Sequence, residues 1–223
     1  SLPGMLHVAF ARSPIARGKI LSIDCAAARD LPGVHKVMLA EDLVHPGFQM
    51  ISLYLRPTEV DTPLLASDIV RYVGEPIALV IADSRALAED GAALIEAEYE
   101  EHDPVVTITD AKNGPPVHPG TDDNIASEAG DEDIDEALAA LIAGAAHQVT
   151  HKVIHQRISQ SPMETRGVVA TRDGNQELKL YITCQSPHMI ARWVSQALGF
   201  PDTAIHVIAK DVGGRFGLKN HPW

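Results

Sequence analysis

The chain has 223 residues, and its 18 lysines and arginines against 30 aspartates and glutamates give a formal net charge of −12 at pH 7. This charge argues against a nucleic-acid-binding protein, because binding to phosphate backbones requires basic surfaces. With 45% hydrophobic and 22% charged residues, the composition is that of a globular protein and excludes a disordered or fibrous chain. The length accommodates one large domain or two small ones.

The acidic residues are concentrated in one segment of the chain. Residues 1–88 carry 8 bases and 9 acids (8 − 9 = −1), residues 89–136 carry 1 base and 16 acids (−15), and residues 137–223 carry 9 bases and 5 acids (+4). The acidic segment lacks the Asp-x-Asp-x-Asp-Gly pattern of calcium loops. We therefore interpret it as an exposed helix face followed by a solvated connector.

The cysteine content and the hydropathy of the chain indicate its cellular compartment. Cys25 and Cys184 are the two cysteines and lie outside any CxxC pair that would suggest zinc or redox chemistry, which indicates a reducing compartment. No window reaches the ~18 consecutive apolar residues of a membrane span, and the start of the chain lacks the apolar core of a secretion signal. We expect a cytoplasmic protein without a membrane span. The start at Ser1 rather than Met suggests a processed or partial chain.

The first hundred residues alternate short apolar runs with helical patterns, which predicts an α/β or α+β unit. Strands are predicted at 6–12, 34–39, 76–83 and 105–109. Asp24 is placed to cap a short helix that reaches Arg29, and Ser84 is placed to cap a longer one. The apolar positions that recur at helical spacing in the longer helix are Leu87, Leu94, Ile95 and Tyr99.

A break in the pattern divides the chain. Pro, Gly, Asn and Asp accumulate without an apolar period in KNGPPVHPGTDDN (112–124), which predicts a linker between domains. We therefore predict a first domain at 1–111, an acidic linker rich in Pro and Gly at 112–130, and a second unit at 131–223.

The second unit is predicted to combine helices with a small sheet. Its predicted elements are a helix at 131–147, an extended stretch at 148–157, a β-hairpin of 166–173 and 177–183 around Gly174-Asn175, and a strand at 203–212. Between the hairpin and the last strand, Ser186 and Pro187 are placed at the N-cap and N1 positions of a helix that ends at Gly199.

Two loops of this unit could bind a ligand. GGRFG (213–217) directly follows the last predicted strand, and glycines let backbone N–H groups approach an anion, although they serve tight turns more often. The dinucleotide fingerprint fits poorly, since its glycines should open a helix. TCQSPH (183–188) places the amide of Gln185 at a helix N-terminus, where the alternative is a simple capping loop.

Three histidines, His147, His151 and His155, are spaced by four residues. On a helix they would share one face and suggest a metal site. The β-branched residues around them favour extended structure instead, which separates successive histidines by about 13 Å. Because this distance is too long for one ion, we do not expect metal ligation by these histidines.

Seven strings follow one another along the chain and join these features. They are LPGMLHVAFARSPIARGKI, YVGEPIALVIADSRALAEDGAALIEAEYE, DPVV, HQR, PMETRGVVA, TCQSPH and DVGGRFGLK. The first three resemble the α/β hammerhead domain of the molybdenum-binding large subunit in the xanthine dehydrogenase, aldehyde oxidase and carbon monoxide dehydrogenase family. The other four resemble the start of its molybdopterin-binding domain. The resemblance spans essentially the whole chain and implies an α+β fold, with a hammerhead domain followed by an incomplete cofactor domain.

The resemblance also implies a cofactor and a reaction. Gln185 would hydrogen-bond a molybdenum oxo ligand, and Phe216 and Gly217 would bring backbone amides to the molybdenum-molybdopterin, which some members carry as a cytosine dinucleotide. Gly213 and Gly214 would permit this close approach. No direct metal ligand is implied. The implied reaction hydroxylates an aldehyde or N-heterocycle, or oxidises carbon monoxide, with oxygen from water. Electrons would pass to iron-sulfur and FAD subunits as partners.

The chain departs from the family pattern at several positions. Arg215 replaces the usual third glycine of the turn, and Thr165 replaces the proline of a PMEPRG string. Asn220 stands where purine-oxidising members carry a substrate-binding Glu, so a purine substrate is not expected.

The family's general-base Glu belongs to the remainder of the large subunit. We therefore assign no catalytic residue to this chain and expect no activity from the chain alone. Two alternatives remain open. The chain could be a non-catalytic interaction or assembly module that retains the hammerhead fold, or, on weaker grounds, a nucleotide-binding protein that uses the glycine turn.

Overall fold

The computed structural model describes residues 2–43, 47–49, 61–125, 132–172 and 177–220. Its strands are β1 His7–Arg12, β2 Gly18–Asp24, β3 Val34–Met38, β4 Gly47–Gln49, β5 Asp61–Pro63, β6 Ile69–Val70, β7 Pro76–Ala82, β8 Glu96–Glu101, β9 Val168–Arg172, β10 Leu178–Ile182 and β11 Ile205–Ile208. Its α-helices are α1 Ala26–Arg29, α2 Arg85–Ala93, α3 Ile108–Asn113, α4 Glu132–Ala143 and α5 Pro187–Leu198. None of the helices described is long and apolar enough to cross a membrane.

A three-stranded antiparallel sheet in the order β1-β7-β3 forms the centre of the amino-terminal region. The central strand β7 is apolar on both faces, and Ile77, Ala78 and Val80 are buried. Helix α2 packs closely on this sheet because Gly91 has no Cβ; a Cβ atom there would lie 2.9 Å from Cγ1 of Val80. The strands predicted at 6–12, 34–39 and 76–83 are confirmed.

A second antiparallel sheet has the order β6-β2-β8. One buried cluster joins it to the first sheet, with Ile20 and Val70 from the second sheet and Ala11 and Ile77 from the first. The short strands β4 and β5 form a separate two-stranded pair. Together these elements give the α+β architecture that the sequence predicted for this region.

The predicted helix beginning at Ser84 is shorter than its spacing suggested. It ends at Ala93, and the prediction that Tyr99 belongs to it is wrong: Tyr99 lies in β8 and pairs with Ile20. Glutamates alternate with Ala97 and Tyr99 along β8, and this two-residue period places the apolar side chains on the face that covers the core. Strand pairing thus determines the secondary structure around Tyr99, where the helical spacing of apolar residues is accidental.

The strand predicted at 105–109 is also wrong, because Thr107 starts the helix α3. The Thr107 hydroxyl accepts a hydrogen bond from the Asp110 N–H (3.1 Å), and the Asp110 carboxylate accepts one from the Thr107 N–H (2.9 Å). This reciprocal capping satisfies donors at the start of the helix and overrides the β preference of the valines and threonines.

The carboxy-terminal sheet has the order β11-β10-β9, with β9 and β10 antiparallel and β10 and β11 parallel. Helix α5 connects the parallel pair and buries Ile190 and Trp193 against it. The predicted hairpin strands and the helix from Ser186 to Gly199 are confirmed, although the Gly174-Asn175 turn lies outside the described residues. The last strand is shorter than predicted and ends at Ile208.

The segment before the hairpin packs against little of the described chain. Helix α4 ends at Ala143, four residues short of the predicted end. The extended stretch predicted at 148–157 lies in no strand, and its Val149 is 94% exposed. A strand requires a pairing partner, and none of the described segments provides one here.

The cap predicted at Ser84 is confirmed, whereas the N-cap position of α1 is Cys25 and Asp24 precedes it. The Asp24 carboxylate accepts from the N–H of Ala26 at 2.8 Å at the start of α1, and the Ser84 hydroxyl accepts from the N–H of Leu87 at 3.2 Å at the start of α2. Replacement of Ser84 by Ala should lower the free energy of unfolding by about 1 kcal/mol, since one helix donor loses its acceptor. Urea denaturation measures this loss. Ser84→Asp, which keeps an acceptor, should show little change, and equal losses in both variants would contradict the capping role.

Candidate cofactor-binding site

The parallel pair β10 and β11 brings the two predicted ligand loops to one edge of the carboxy-terminal sheet. Strand β10 leads directly into TCQSPH, and strand β11 ends at Ile208, with four residues between it and GGRFG. The carboxyl ends of these parallel strands lie side by side. In α/β units, ligands bind in the crevice outside this edge. The fold brings Gln185 to Lys219, two residues after the end of the glycine turn, although Gln185 and Gly213 are 28 positions apart in the sequence.

Gln185 is held by both its backbone and its side chain. Its N–H donates to the Lys219 carbonyl at 2.9 Å, and its Oε1 accepts from the Lys219 N–H at 3.2 Å. Because a backbone N–H must meet an oxygen, this bond fixes the orientation of the side-chain amide. The Nε2 group, which has no acceptor among the described residues, is left as a donor.

An ion pair between a buried lysine and a partly exposed glutamate joins the end of the glycine turn to a third segment. The Lys219 side chain is 0% exposed and its Nζ lies 3.0 Å from Oε2 of Glu164, whose side chain is 37% exposed. The same Oε2 accepts from the Gly213 N–H at 2.7 Å, and the Glu164 N–H donates to the Gly213 carbonyl at 3.1 Å. The Arg166 guanidinium adds a hydrogen bond to the Leu218 carbonyl.

Sequence reasoning did not single out Glu164 or Lys219. Both lie in strings that carry the family resemblance, PMETRGVVA and DVGGRFGLK, but they are 55 residues apart. Nothing in their local sequence indicates that they pair. The sequence signal for Lys219 was its position two residues after a glycine turn. This signal is weak, because lysines are common at protein surfaces.

The turn itself requires glycine for two different reasons. Gly214 and Gly217 have φ angles of +96° and +86°, in the region where other residues are strained. At Gly213 the reason is space: a Cβ atom would lie 2.7 Å from Cβ of Glu164. Phe216 also has a positive φ, +49°, and its side chain is 69% exposed. A non-glycine residue in this conformation is uncommon and often occurs at ligand sites.

Backbone donors of the turn are available to a ligand. Within the residues that the structure describes, the N–H groups of Phe216 and Gly217 have no hydrogen-bond acceptor, whereas the Leu218 N–H donates to the Arg215 carbonyl at 2.9 Å. Neighbouring N–H groups in such turns form anion-binding concavities. With the amide of Gln185, these donors fit an oxygen-rich anionic group such as molybdenum-molybdopterin.

Cys184 lies beneath this site and is not arranged as a metal ligand. It is buried in the carboxy-terminal core, and burial raises the pKa of its thiol, partly opposed by the N–H of Ser186 and the charge of Arg215. A raised pKa keeps the thiol protonated at neutral pH, whereas a metal ligand must be a thiolate. The structure describes no group of three or more His, Cys, Asp or Glu side chains that could hold a metal ion, and His147, His151 and His155 are exposed.

The hydrogen-bond and ion-pair partners of Glu164 change the pKa of its carboxylate. The N–H of Gly213 and the ammonium of Lys219 lower the pKa of Glu164 below its ordinary value. Since the folded pKa is the lower one, this pairing should stabilise the fold above the pKa of an unfolded glutamate, about 4.3, and the contribution should disappear as the pH falls through the folded pKa. The unfolding free energies of wild type and Glu164→Gln, measured against pH, should therefore differ at pH 7 and converge in acid. A difference that is constant with pH would contradict the assignment.

Comparison with known proteins identifies the family. Residues 1–103 match the aldehyde oxidase and xanthine dehydrogenase a/b hammerhead domain, and residues 117–223 match the molybdopterin cofactor-binding domain. The nicotine 6-hydroxylase large subunit of Paenarthrobacter nicotinovorans is 38% identical, over 99% of this chain and 27% of that protein. The carbon monoxide dehydrogenase large chain of Hydrogenophaga pseudoflava is 33% identical, over 98% of this chain and 28% of that protein. The crystal structure of quinoline 2-oxidoreductase from Pseudomonas putida 86 superimposes with a TM-score of 0.84 at 39% identity, over 100% of this chain and 29% of that one.

The chain belongs to the family of molybdenum-enzyme large subunits that includes xanthine dehydrogenase, aldehyde oxidase and carbon monoxide dehydrogenase. The predicted order of a hammerhead domain followed by the start of a molybdopterin-binding domain is confirmed. The chain spans less than a third of the length of these relatives. The domain limits at 111 and 131 stay predictions, as do the cofactor contacts of individual residues.

Proposed function

We propose that this chain supplies one wall of the molybdenum-molybdopterin site of a hydroxylase. The observation that carries the proposal is the shared edge of β10 and β11, where Gln185 is bonded to Lys219, two residues after the glycine turn. Among the described residues, Nε2 of Gln185 and the backbone N–H groups of Phe216 and Gly217 have no acceptor. The family of the chain supports the same cofactor.

Each residue of the site has a proposed task. Gln185 donates from Nε2 to an oxygen acceptor of the bound group, in the orientation that Lys219 imposes. Phe216 and Gly217 donate from their backbone N–H groups. Gly213 and Gly214 allow close approach of the turn to the cofactor, while the positions that their Cβ atoms would take face Glu164 and Pro162. When bound, the cofactor supplies two-electron oxidation of a substrate carbon with oxygen taken from water.

The remaining parts of the catalyst come from elsewhere. We propose that the rest of a family large subunit supplies the general-base Glu, and that iron-sulfur and FAD subunits receive the electrons. The assembled enzyme would act in the cytoplasm. Relatives named for nicotine and quinoline are 38% and 39% identical to this chain, which makes an N-heterocycle the first substrate class to test, before aldehydes and carbon monoxide.

The reaction class is tested in the complex of this chain with the remainder of a family large subunit and its electron-accepting subunits. Candidate N-heterocycles, aldehydes and carbon monoxide are oxidised in ¹⁸O-labelled water with an artificial electron acceptor, and the product is analysed by mass spectrometry. The proposal predicts a product that carries one ¹⁸O atom. A fully assembled complex that oxidises none of these classes would instead support a non-catalytic assembly module.

A further inference from the structure

We propose that Glu164 and Lys219 form a positioning pair that sets the orientation of the Gln185 amide and holds the glycine turn beside it. This inference rests on the proposed function of the site, because it concerns residues that would orient cofactor donors without touching the cofactor themselves. It adds two residues to the site that neither the sequence motifs nor the comparisons assign to it.

The first step of the argument is the position of Lys219 between two segments. Its backbone makes two hydrogen bonds to Gln185, one to the backbone (2.9 Å) and one to the side-chain Oε1 (3.2 Å). A shift of the Lys219 backbone would therefore move the Gln185 amide or free it to rotate. Free rotation would exchange the Nε2 donor for the Oε1 acceptor at the ligand edge.

The second step is the anchoring of Lys219 by its side chain. A fully buried ammonium strongly prefers an ionised partner, and the carboxylate of Glu164 provides one at 3.0 Å. This requirement fixes where the side chain of Lys219 ends and restricts the path of its backbone. An exposed lysine would place no such restriction on Gln185.

The third step is the shared use of one carboxylate oxygen. Oε2 of Glu164 accepts from both the Lys219 Nζ and the Gly213 N–H, so the start of the turn and the residue two positions after its end meet at one atom. The Gly213 carbonyl in turn accepts from the Glu164 N–H. The pair thus ties residues 213–217 to the segment around 164 and to Gln185 at the same time.

The test begins with the 223-residue chain and needs no cofactor. In the wild type, the Nε2 protons of Gln185 should give side-chain amide NMR signals displaced from those of freely rotating glutamines. Lys219→Met removes the ammonium at similar volume, and we expect these signals to move to the free-amide position while circular dichroism reports a folded chain. Glu164→Ala should have the same effect and Glu164→Gln, which keeps an acceptor oxygen, a smaller one.

The control is another ion pair, in the amino-terminal region, formed by Arg71 and Glu75, whose side chains are both largely buried. Glu75→Gln weakens this pair without contact to the site, and we expect the Gln185 signals to stay in place. An unmoved Gln185 signal in a folded Lys219→Met chain would overturn the proposal. An equal shift of the Gln185 signals in Glu75→Gln would also overturn it, because the shift would then not depend on contact with the site. Unfolding of both Lys219→Met and Glu164→Gln would overturn it as well, because the pair would then have a structural role alone.

The assembled complex separates this inference from the proposed function. With cofactor bound, Lys219→Met should lower kcat by about tenfold or more at nearly unchanged KM, because a misoriented donor affects the reacting state more than substrate binding. A complex that never contains molybdenum would reject the proposed function and leave the amide signals as the test of the pair. A complex that loads molybdenum and turns over normally in Lys219→Met would reject the pair alone.

Discussion

Replacing Trp193 with alanine should reduce the free energy of unfolding of the carboxy-terminal region by about 3–5 kcal/mol, the usual cost of removing a large buried aromatic side chain. Trp193 is 2% exposed and is the largest fully buried side chain among the described residues. It packs in one cluster with Ile190, Leu180 and Ile205, which joins α5 to the parallel strands. The loss combines the favourable free energy of burying the indole, which the variant lacks, with the cost of an unfilled cavity.

This substitution should also affect the candidate site, since α5 begins directly after Gln185 and Ser186. A helix that no longer packs on β10 and β11 cannot hold its first turn at the ligand edge. Guanidinium denaturation followed by circular dichroism measures the loss. Trp193→Phe retains most of the buried area and should lose markedly less, so equal losses in the two variants would show that the cavity at this position is not what destabilises the fold.

Gly213→Ala should have the second-largest effect and should act on the site directly. The new Cβ atom would meet Cβ of Glu164 at 2.7 Å, and this atom is fixed to the backbone and cannot rotate away. The turn and the segment around Glu164 must therefore separate, which weakens the bonds of the carboxylate to Gly213 and Lys219. We expect a loss of about 1–3 kcal/mol in unfolding free energy and at least about a tenfold weaker retention of cofactor by the assembled enzyme.

Gly167 provides the matched control for this prediction. It lies in the same region, has no positive φ angle, and nothing lies within 4 Å of the position where its Cβ would be. Gly167→Ala should therefore change the free energy of unfolding by no more than a few tenths of a kcal/mol. It should leave the molybdenum content unchanged. Calorimetry and elemental analysis of both variants give the comparison, and a Gly213→Ala protein that matches the wild type in both would refute the steric argument.

The fold was predictable where one residue pattern dominated. Strand β7 is apolar on both faces, and α5 carries Ser-Pro at its start and Gly199 at its end, so both were found from local sequence. The errors at Tyr99 and Thr107 occurred where two local patterns competed. At Tyr99 pairing with β2 decided the outcome, and at Thr107 a reciprocal cap did.

The candidate site was predictable only in part, for a related reason. Gln185 and the glycine turn have recognisable strings, and the family resemblance gave them a role. Glu164 and Lys219 gain their significance from a contact across 55 residues that exists only after β10 and β11 align in parallel. The amide orientation of Gln185 likewise follows from the backbone of Lys219, which no local pattern encodes.

The most direct measurement of the central claim is the molybdenum and pterin content of this chain in complex with the remainder of a family large subunit, determined by elemental analysis and pterin fluorescence. Our account predicts molybdenum and pterin in equal amounts in the wild-type complex, with both reduced in parallel by Gly213→Ala and unchanged by Gly167→Ala. A well-folded wild-type complex that contains neither molybdenum nor pterin would contradict it.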